Sequence, residues 1–286
     1  MTVCYTVETY EASHLKTSNR IRPRDTLWLI ASITAWILVV PIALILIYGF
    51  YIYRSATGFG IAVFRSIALT ILTSGLSAII IFIVFTPLAY ELAGRAHRAM
   101  ETISDIPASI PHPVVGIAFL IMDSPITPTG RFLNSIGLNL FDSIQGIIIA
   151  LTFVATPIYV RSMQSVFAAR NAFPDLYAES LGASRLRVLY RSALPAVKRE
   201  AVYSSLTAMS RGMSEFGSIA ILAYYVTQYP FNGVSNASVL IFQYYSFYGP
   251  QGAITASAVM IVFSLLLLFI ARLFAHNREA SRGSVQ

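Results

Sequence analysis

Ser204, Thr207, Arg211, Ser214 and Ser218 follow one another at intervals of 3, 4, 3 and 4 residues, and Glu215 comes one turn after Arg211. On a helix this spacing makes one stripe of hydroxyls around a guanidinium and a carboxylate. Such a stripe can hold an oxyanion by hydrogen bonds where water is scarce. The same residues can equally be packing glue between membrane helices, with Arg211 and Glu215 a local ion pair. Thr70, Thr73, Ser74 and Ser77 repeat the pattern upstream. His112, set between Pro111 and Pro113, either lines a pathway or closes a turn. The candidate pathway residues are therefore Thr73, Ser77, His112, Thr207, Arg211, Ser214, Glu215 and Ser218.

Covalent catalysis has no comparable candidates. Lys16 and Lys198 are the lysines of the chain, and neither follows the glycine of a G-x-x-x-x-G-K-[ST] loop, so nucleotide phosphates are not cradled that way. Clustered Cys and His residues that could ligate a metal are missing, as is the G-x-S-x-G pattern of a nucleophile elbow. An enzyme reading lacks a site.

The elements that must position these residues cross a membrane. Of 286 residues, 56% are apolar and 12% charged, and mean hydropathy is +0.67; a soluble domain carries about 25% charge. Residues 26–53, 66–90 and 216–271 contain no Asp, Glu, Lys or Arg, and about 20 such residues suffice to cross a bilayer as a helix. The fold class is an all-α integral membrane protein with six spans, at about 27–48, 67–88, 110–120 (short and broken by its prolines), 144–160, 201–223 and 253–274. Turn signals at Asn232-Gly233 and Gly249-Pro250 bound a Tyr- and Phe-rich segment between the last two. Arg211 then lies about ten residues into its span, roughly 15 Å deep. A charge at that depth needs a partner or a wet cavity.

Residues 1–25 read as a cytoplasmic tail, 26–275 as the transmembrane domain with a cytoplasmic loop at about 165–199, and 276–286 as a C-terminal tail. Polar residues precede the first apolar run, which is too long for a signal peptide, so that span is expected to remain as an anchor. Six spans put both termini on one side. Seventeen of the 20 Lys and Arg residues then share that side, leaving Arg54, Arg65 and Arg131 on the other, which assigns the termini to the cytoplasm of a cell membrane. The net charge of +7 is thereby explained by topology, and no nucleic-acid partner is expected. Cys4 carries no functional information. Asn236-Ala237-Ser238 is a weak glycosylation sequon on the outer side.

The cytoplasmic loop is a polar island. Pro174 suits the first turn of a short helix, Gly182 the left-handed residue closing it, Ser184 the cap of a second helix, and Pro195 its end. Leu186, Leu189, Tyr190 and Ala193 fall on one apolar stripe. The glycine at 182 followed by Leu194-Pro195 resembles the loop by which permease subunits of binding-protein-dependent ABC importers engage their ATPases. The run 178–184 resembles the version in the molybdate, tungstate and sulfate branch, and the segment 110–118 and the stretch from Ser210 to Ser218 with Ala223-Tyr224-Tyr225 narrow the resemblance to the molybdate/tungstate permeases. The chain departs from the general motif at Leu176, where a Glu is usual, with Asp175 beside it.

This resemblance implies a MetI-like type I permease fold, assembled as a homodimer in membrane lipid, with an oxyanion pathway on the two-fold axis. It implies partner ATPase subunits that hold ATP and Mg, no cofactor on this chain, and a substrate-binding protein docking outside. Asp175, Leu176, Tyr177, Ala178, Glu179, Leu181, Gly182, Leu194 and Pro195 would form the ATPase-coupling surface. The alternative substrate is sulfate or thiosulfate; a stand-alone channel or a membrane receptor is the rival of another class. Replacing Gly182 by a bulky residue is expected to abolish ATPase association or its coupling, measured by co-purification and ATPase assay. A variant that co-purifies and couples normally would contradict that role.

Overall fold

The computed structural model describes residues 26–53, 60–94 and 97–282, with backbone alone for 271–282. The tail 1–25, the outer connection 54–59, Arg95 and residues 283–286, on which part of the charge asymmetry rests, lie outside the described residues. The described chain is almost wholly helical. α1, Thr26–Ile47, runs on into a π-helical turn, Tyr48–Ile52, and is apolar on every face, with Pro41 inside it. Its close approach to the rest is at Gly49, where an added Cβ would lie 2.5 Å from the Ala258 Cβ.

α2 (Ile61–Gly94) and α6 (Ile144–Ala168) form the central pair. Ile81, Ala89, Leu92, Ala155, Tyr159 and Met163 interlock between them, and the Tyr159 hydroxyl meets Thr86 Oγ1 at 2.6 Å. Both helices are longer than expected, because each carries its apolar face on into the layer that Phe167, Leu189 and Val197 complete. α11, Ala237–Arg282, is bent at Gly249 (φ 72°, ψ −172°) and closes on the start of α2 through Val63, Ile67, Ala237, Leu240 and Ala256. The turn signal at 249–250 thus marks a true break between two helices, and the first of them, opening at Ala237, was not expected. The Asn232-Gly233 signal is a true turn, with Gly233 at φ 74° and Val226 bridged to Val234.

Two expected spans are broken. In place of one helix at 110–120 stand α3, Arg98–Ser109, and α4, His112–Asp123, bent by 102° to each other. Pro111 holds Ile110 extended (φ −90°, ψ 135°), while Pro113 opens α4, where its missing N–H costs nothing. α3 docks on α6: Arg161 pairs with Asp105, and Gln164 Nε2 donates to Glu101 Oε1 at 2.6 Å. The expected span 201–223 is α9, Lys198–Met213, and α10, Gly217–Leu222, separated at 214–216. Spacing missed this break because the 3-4 recurrence of polar residues from Ser204 to Ser218 runs straight across it, as though one helix carried the whole stripe. Among the described residues four helices are long and apolar enough to cross a membrane, or five counting the bent pair.

The loop expected in the cytoplasm folds as α7 (Phe173–Ser180), a turn at Gly182 (φ 87°), and α8 (Arg185–Val188), which continues through a π-helical stretch, Leu189–Ala193, into Leu194–Ala196. Pro174 occupies the first turn of α7 as expected. Pro195 does not end the second helix; it opens the last short helical piece, and the chain turns at Val197. The π register also rotates the expected stripe. Val188, Leu189 and Ala193 are buried, whereas Leu186 and Tyr190 are exposed. Ser184 stands at the cap position without a side-chain bond. Asn236 is fully buried, so the sequon has no accessible acceptor.

α5, Pro128–Ser135, leads toward α6. α4 lies flush on α10 because glycines face the contact. An added Cβ at Gly116 would sit 2.6 Å from the Ser218 carbonyl oxygen, and one at Gly217 would sit 2.9 Å from Pro113 Cδ. Gly116→Val is expected to cost about 1–3 kcal/mol by overpacking, read as a lower thermal-unfolding midpoint in detergent. A midpoint equal to the parent's would show that this contact is loose.

Candidate functional site

The two breaks face each other, and their loose ends meet in one cluster. α4 contributes its first residue, His112; α9 contributes Arg211 from its last turn; the gap before α10 contributes Glu215. Glu215 is 1% exposed, and a carboxylate so placed must be satisfied by donors on every side. Its Oε1 accepts the Ser218 N–H (3.0 Å) and hydroxyl (2.9 Å), which caps α10. Its Oε2 lies 2.5 Å from His112 Nδ1 and 3.2 Å from Arg211 Nη1.

Arg211 Nη2 also approaches the His112 ring, 2.9 Å from Nδ1 and 3.0 Å from Nε2. A guanidinium can only donate, so with the proton on Nδ1 given to Glu215, Nε2 is the ring atom left to accept from Arg211. Arg211 Nη1 further donates to Ser214 Oγ at 3.3 Å. The Ser238 hydroxyl, at the start of α11, donates to the Glu215 carbonyl at 2.6 Å. Glu215 is thus the fixed centre. His112 and Arg211, whose side chains are 28% and 27% exposed, are its accessible arms. The arrangement offers N–H donors and a positive group to an anion, with no group placed for nucleophilic attack.

Of the residues singled out from the sequence, His112, Arg211, Ser214, Glu215 and Ser218 are brought together. Thr207 lies a turn before Arg211 and donates to the Tyr203 carbonyl. Thr73 and Ser77 are buried; Thr73 donates to the Leu69 carbonyl, and Ser77 to that of Thr73 while also reaching the Ile148 carbonyl at 3.0 Å. Thr70 accepts the Ala237 N–H and Ser204 meets Ser162, so these hydroxyls serve helix contacts. Sequence spacing paired Arg211 with Glu215 but missed His112 and Ser238 as their neighbours, because both lie on other helices.

The cytoplasmic loop holds a second polar centre. Phe173, Leu176, Tyr177 and Leu181 are each at least 60% exposed, an apolar face outside the spans that a partner chain can cover. Gly182 and Pro195 are exposed, Ala178 and Glu179 half-buried, and Leu194 packs on the α2–α6 core. Asp175 departs from expectation: it is 5% exposed and points inward. Burial alone would raise its carboxyl, but hydrogen bonds from Arg170, Ser192 and Tyr90 outweigh that and hold it below the usual carboxylate range. Its stabilising contribution is therefore present at neutral pH and lost only as pH falls through that depressed value.

A family model described as "Binding-protein-dependent transport system inner membrane component" matches residues 86–279. The molybdate/tungstate transport system permease protein WtpB of Pyrococcus abyssi is 32% identical over 206 residues, 71% of this chain and 75% of that protein. A probable sulfate transport system permease protein cysT of Chlorokybus atmophyticus is 31% identical over 66% of this chain and 64% of its own length. Among solved structures, a bacterial ABC transporter that imports the acidic polysaccharide alginate aligns with a TM-score of 0.55 at 20% identity, covering 91% of this chain and 96% of that one, a likeness of fold.

The cluster's internal energy is measurable. A double-mutant cycle with His112→Ala and Glu215→Gln is expected to give a coupling of about 0.5–3 kcal/mol in thermal unfolding. Strictly additive effects would mean that the two side chains do not act on each other.

Proposed function

Since the chain belongs to the binding-protein-dependent transport system inner membrane components, the multi-pass permease subunits of ABC importers, we propose that its cargo is a tetrahedral oxyanion, molybdate or tungstate. The chain is a transport subunit, and ATP hydrolysis belongs to a separate chain. The observation that carries the oxyanion reading is its similarity to permeases named for molybdate/tungstate and for sulfate. All of these are dianions of the same shape. The cluster at the two helix breaks agrees with it chemically, since Arg211 presents a partly exposed guanidinium to an anion.

In this reading two copies face each other across the pathway. An extracytoplasmic binding protein delivers the anion, and selectivity rests mainly with that protein, so the pathway needs only weak polar contacts. Arg211, His112, Ser214 and Thr207 meet the ion, while Glu215 and Ser218 hold them in place. The partner ATPase covers the apolar face of α7, and its closure on ATP is transmitted as a rigid-body shift that switches access. Sulfate transport is the second reading, favoured by the Chlorokybus relative.

Uptake of labelled tungstate into cells or proteoliposomes, competed with molybdate, sulfate and thiosulfate, tests the substrate. Molybdate is expected to compete as well as unlabelled tungstate, and sulfate poorly; the reverse order would make this a sulfate permease. Arg211→Ala is expected to lower uptake about tenfold or more, as loss of a charge-assisted contact implies, while ATPase assembly survives. Normal uptake by that variant would remove Arg211 from the pathway.

A further inference from the structure

Asp175 belongs to a segment whose other side chains face outward, yet it is turned in and fully engaged. Its Oδ2 accepts the Tyr90 hydroxyl at 2.9 Å and a hydrogen bond from Arg170, and its Oδ1 accepts the Ser192 hydroxyl at 2.8 Å. Four segments meet on this carboxylate: the cytoplasmic end of α2, the link after α6, the first turn of α7, and the π-helical stretch. A second tie follows the same route nearer the surface. Arg185 Nη1 lies 3.0 Å from Glu91 on α2, and its Nε 3.6 Å from Glu179 on α7.

We propose that Asp175 is a positioning residue for energy coupling: a buried latch that joins α7 to the end of α2, rather than a contact to the ATPase. This rests on the importer reading above. The division of labour follows from exposure. Phe173, Leu176, Tyr177 and Leu181 offer surface to a partner, whereas Asp175 offers none. A helix of eight residues held only by apolar contacts could rock on its base when pushed. A carboxylate that accepts from three neighbours resists such rocking, because each bond broken strands a buried polar atom. Displacement of α7 is therefore carried to Tyr90, and from there along α2 to its packing against α6. A cavity of about 210 Å³ borders the node, between Tyr90, Arg170, Asp175 and Arg185, so the latch is not merely one more close-packed contact.

The test compares the unmutated permease with Asp175→Asn and Leu176→Asp, each co-expressed with its ATPase and reconstituted in lipid. Asp175→Asn is expected to co-purify with the ATPase as the parent does, while stimulation of ATP hydrolysis by the substrate-loaded binding protein falls about tenfold or more. Leu176→Asp is expected to lose co-purification. Hydrogen exchange supplies a readout that general destabilisation does not mimic. In the parent, ATP changes exchange at both 173–180 and 86–94; in Asp175→Asn it changes 173–180 alone. Should Asp175→Asn fail to accumulate, Tyr90→Phe and Ser192→Ala decide, and each is expected to assemble and to lose part of the stimulation. Full stimulation in Asp175→Asn, or in both of those variants, overturns the proposal. So does loss of co-purification in a folded Asp175→Asn, which would make Asp175 a docking residue. Failure of the unmutated chain to bind any ATPase would overturn the importer reading itself, and it is distinguished by appearing before any substitution is made.

Discussion

A carboxylate sealed inside a membrane protein has to be answered by donors, and Glu215 organises the structure around that demand. Four hydrogen-bonding or charged groups converge on its two oxygens, from α4, α9 and α10. Each can reach it only because a helix stops at the right place. α9 ends just after Arg211 so that Glu215 falls in the gap, α10 begins with the Ser218 N–H directed at the carboxylate, and α4 starts at His112. The breaks are thus the geometry that a buried charge requires, tolerated at membrane depth because protein covers them. Removing one partner of such a group costs about 3–5 kcal/mol, enough to hold the two broken elements in one register.

The loop that carries α7 and α8 solves the same problem at the ends of the long apolar helices. Asp175 is also buried and ionised, but it sits beneath a surface of exposed aromatic and aliphatic groups rather than among spans. Each carboxylate bonds a short helix or its surroundings, Asp175 from within α7 and Glu215 from just before α10, and a helix of six or eight residues is marginal alone. In each case a buried anion supplies the fixed orientation that helix propensity cannot.

How much of this was legible in the sequence depended on range. Gly182 at positive φ, Pro174 in a first turn and the pairing of Arg211 with Glu215 are local matters, and spacing alone disclosed them. The all-α membrane class followed from uncharged runs. His112 meets Glu215 across 103 residues of chain, a distance at which no periodicity reports, so the histidine was recognised only by its flanking prolines. The break at 214–216 was hidden because the even spacing of polar residues from Ser204 to Ser218 continues across it and reads as one helix. The π register at 189–193 rotated Tyr190 outward for a similar reason: a stripe drawn at 3.6 residues per turn assumes a regular helix. Thr73 and Ser77 show the converse, a legible polar stripe whose hydroxyls are occupied by backbone carbonyls.

α1 illustrates a different economy. Exposed along nearly its whole length and apolar on every face, it asks of most positions only that they be apolar, so Leu, Ile and Val are close to synonyms there. The position-specific demand falls on the notch at Gly49, where the Ala258 Cβ and the Ile254 carbonyl of α11 leave room for a hydrogen and nothing larger. One missing side chain thus fixes where a helix of interchangeable residues meets the rest of the protein.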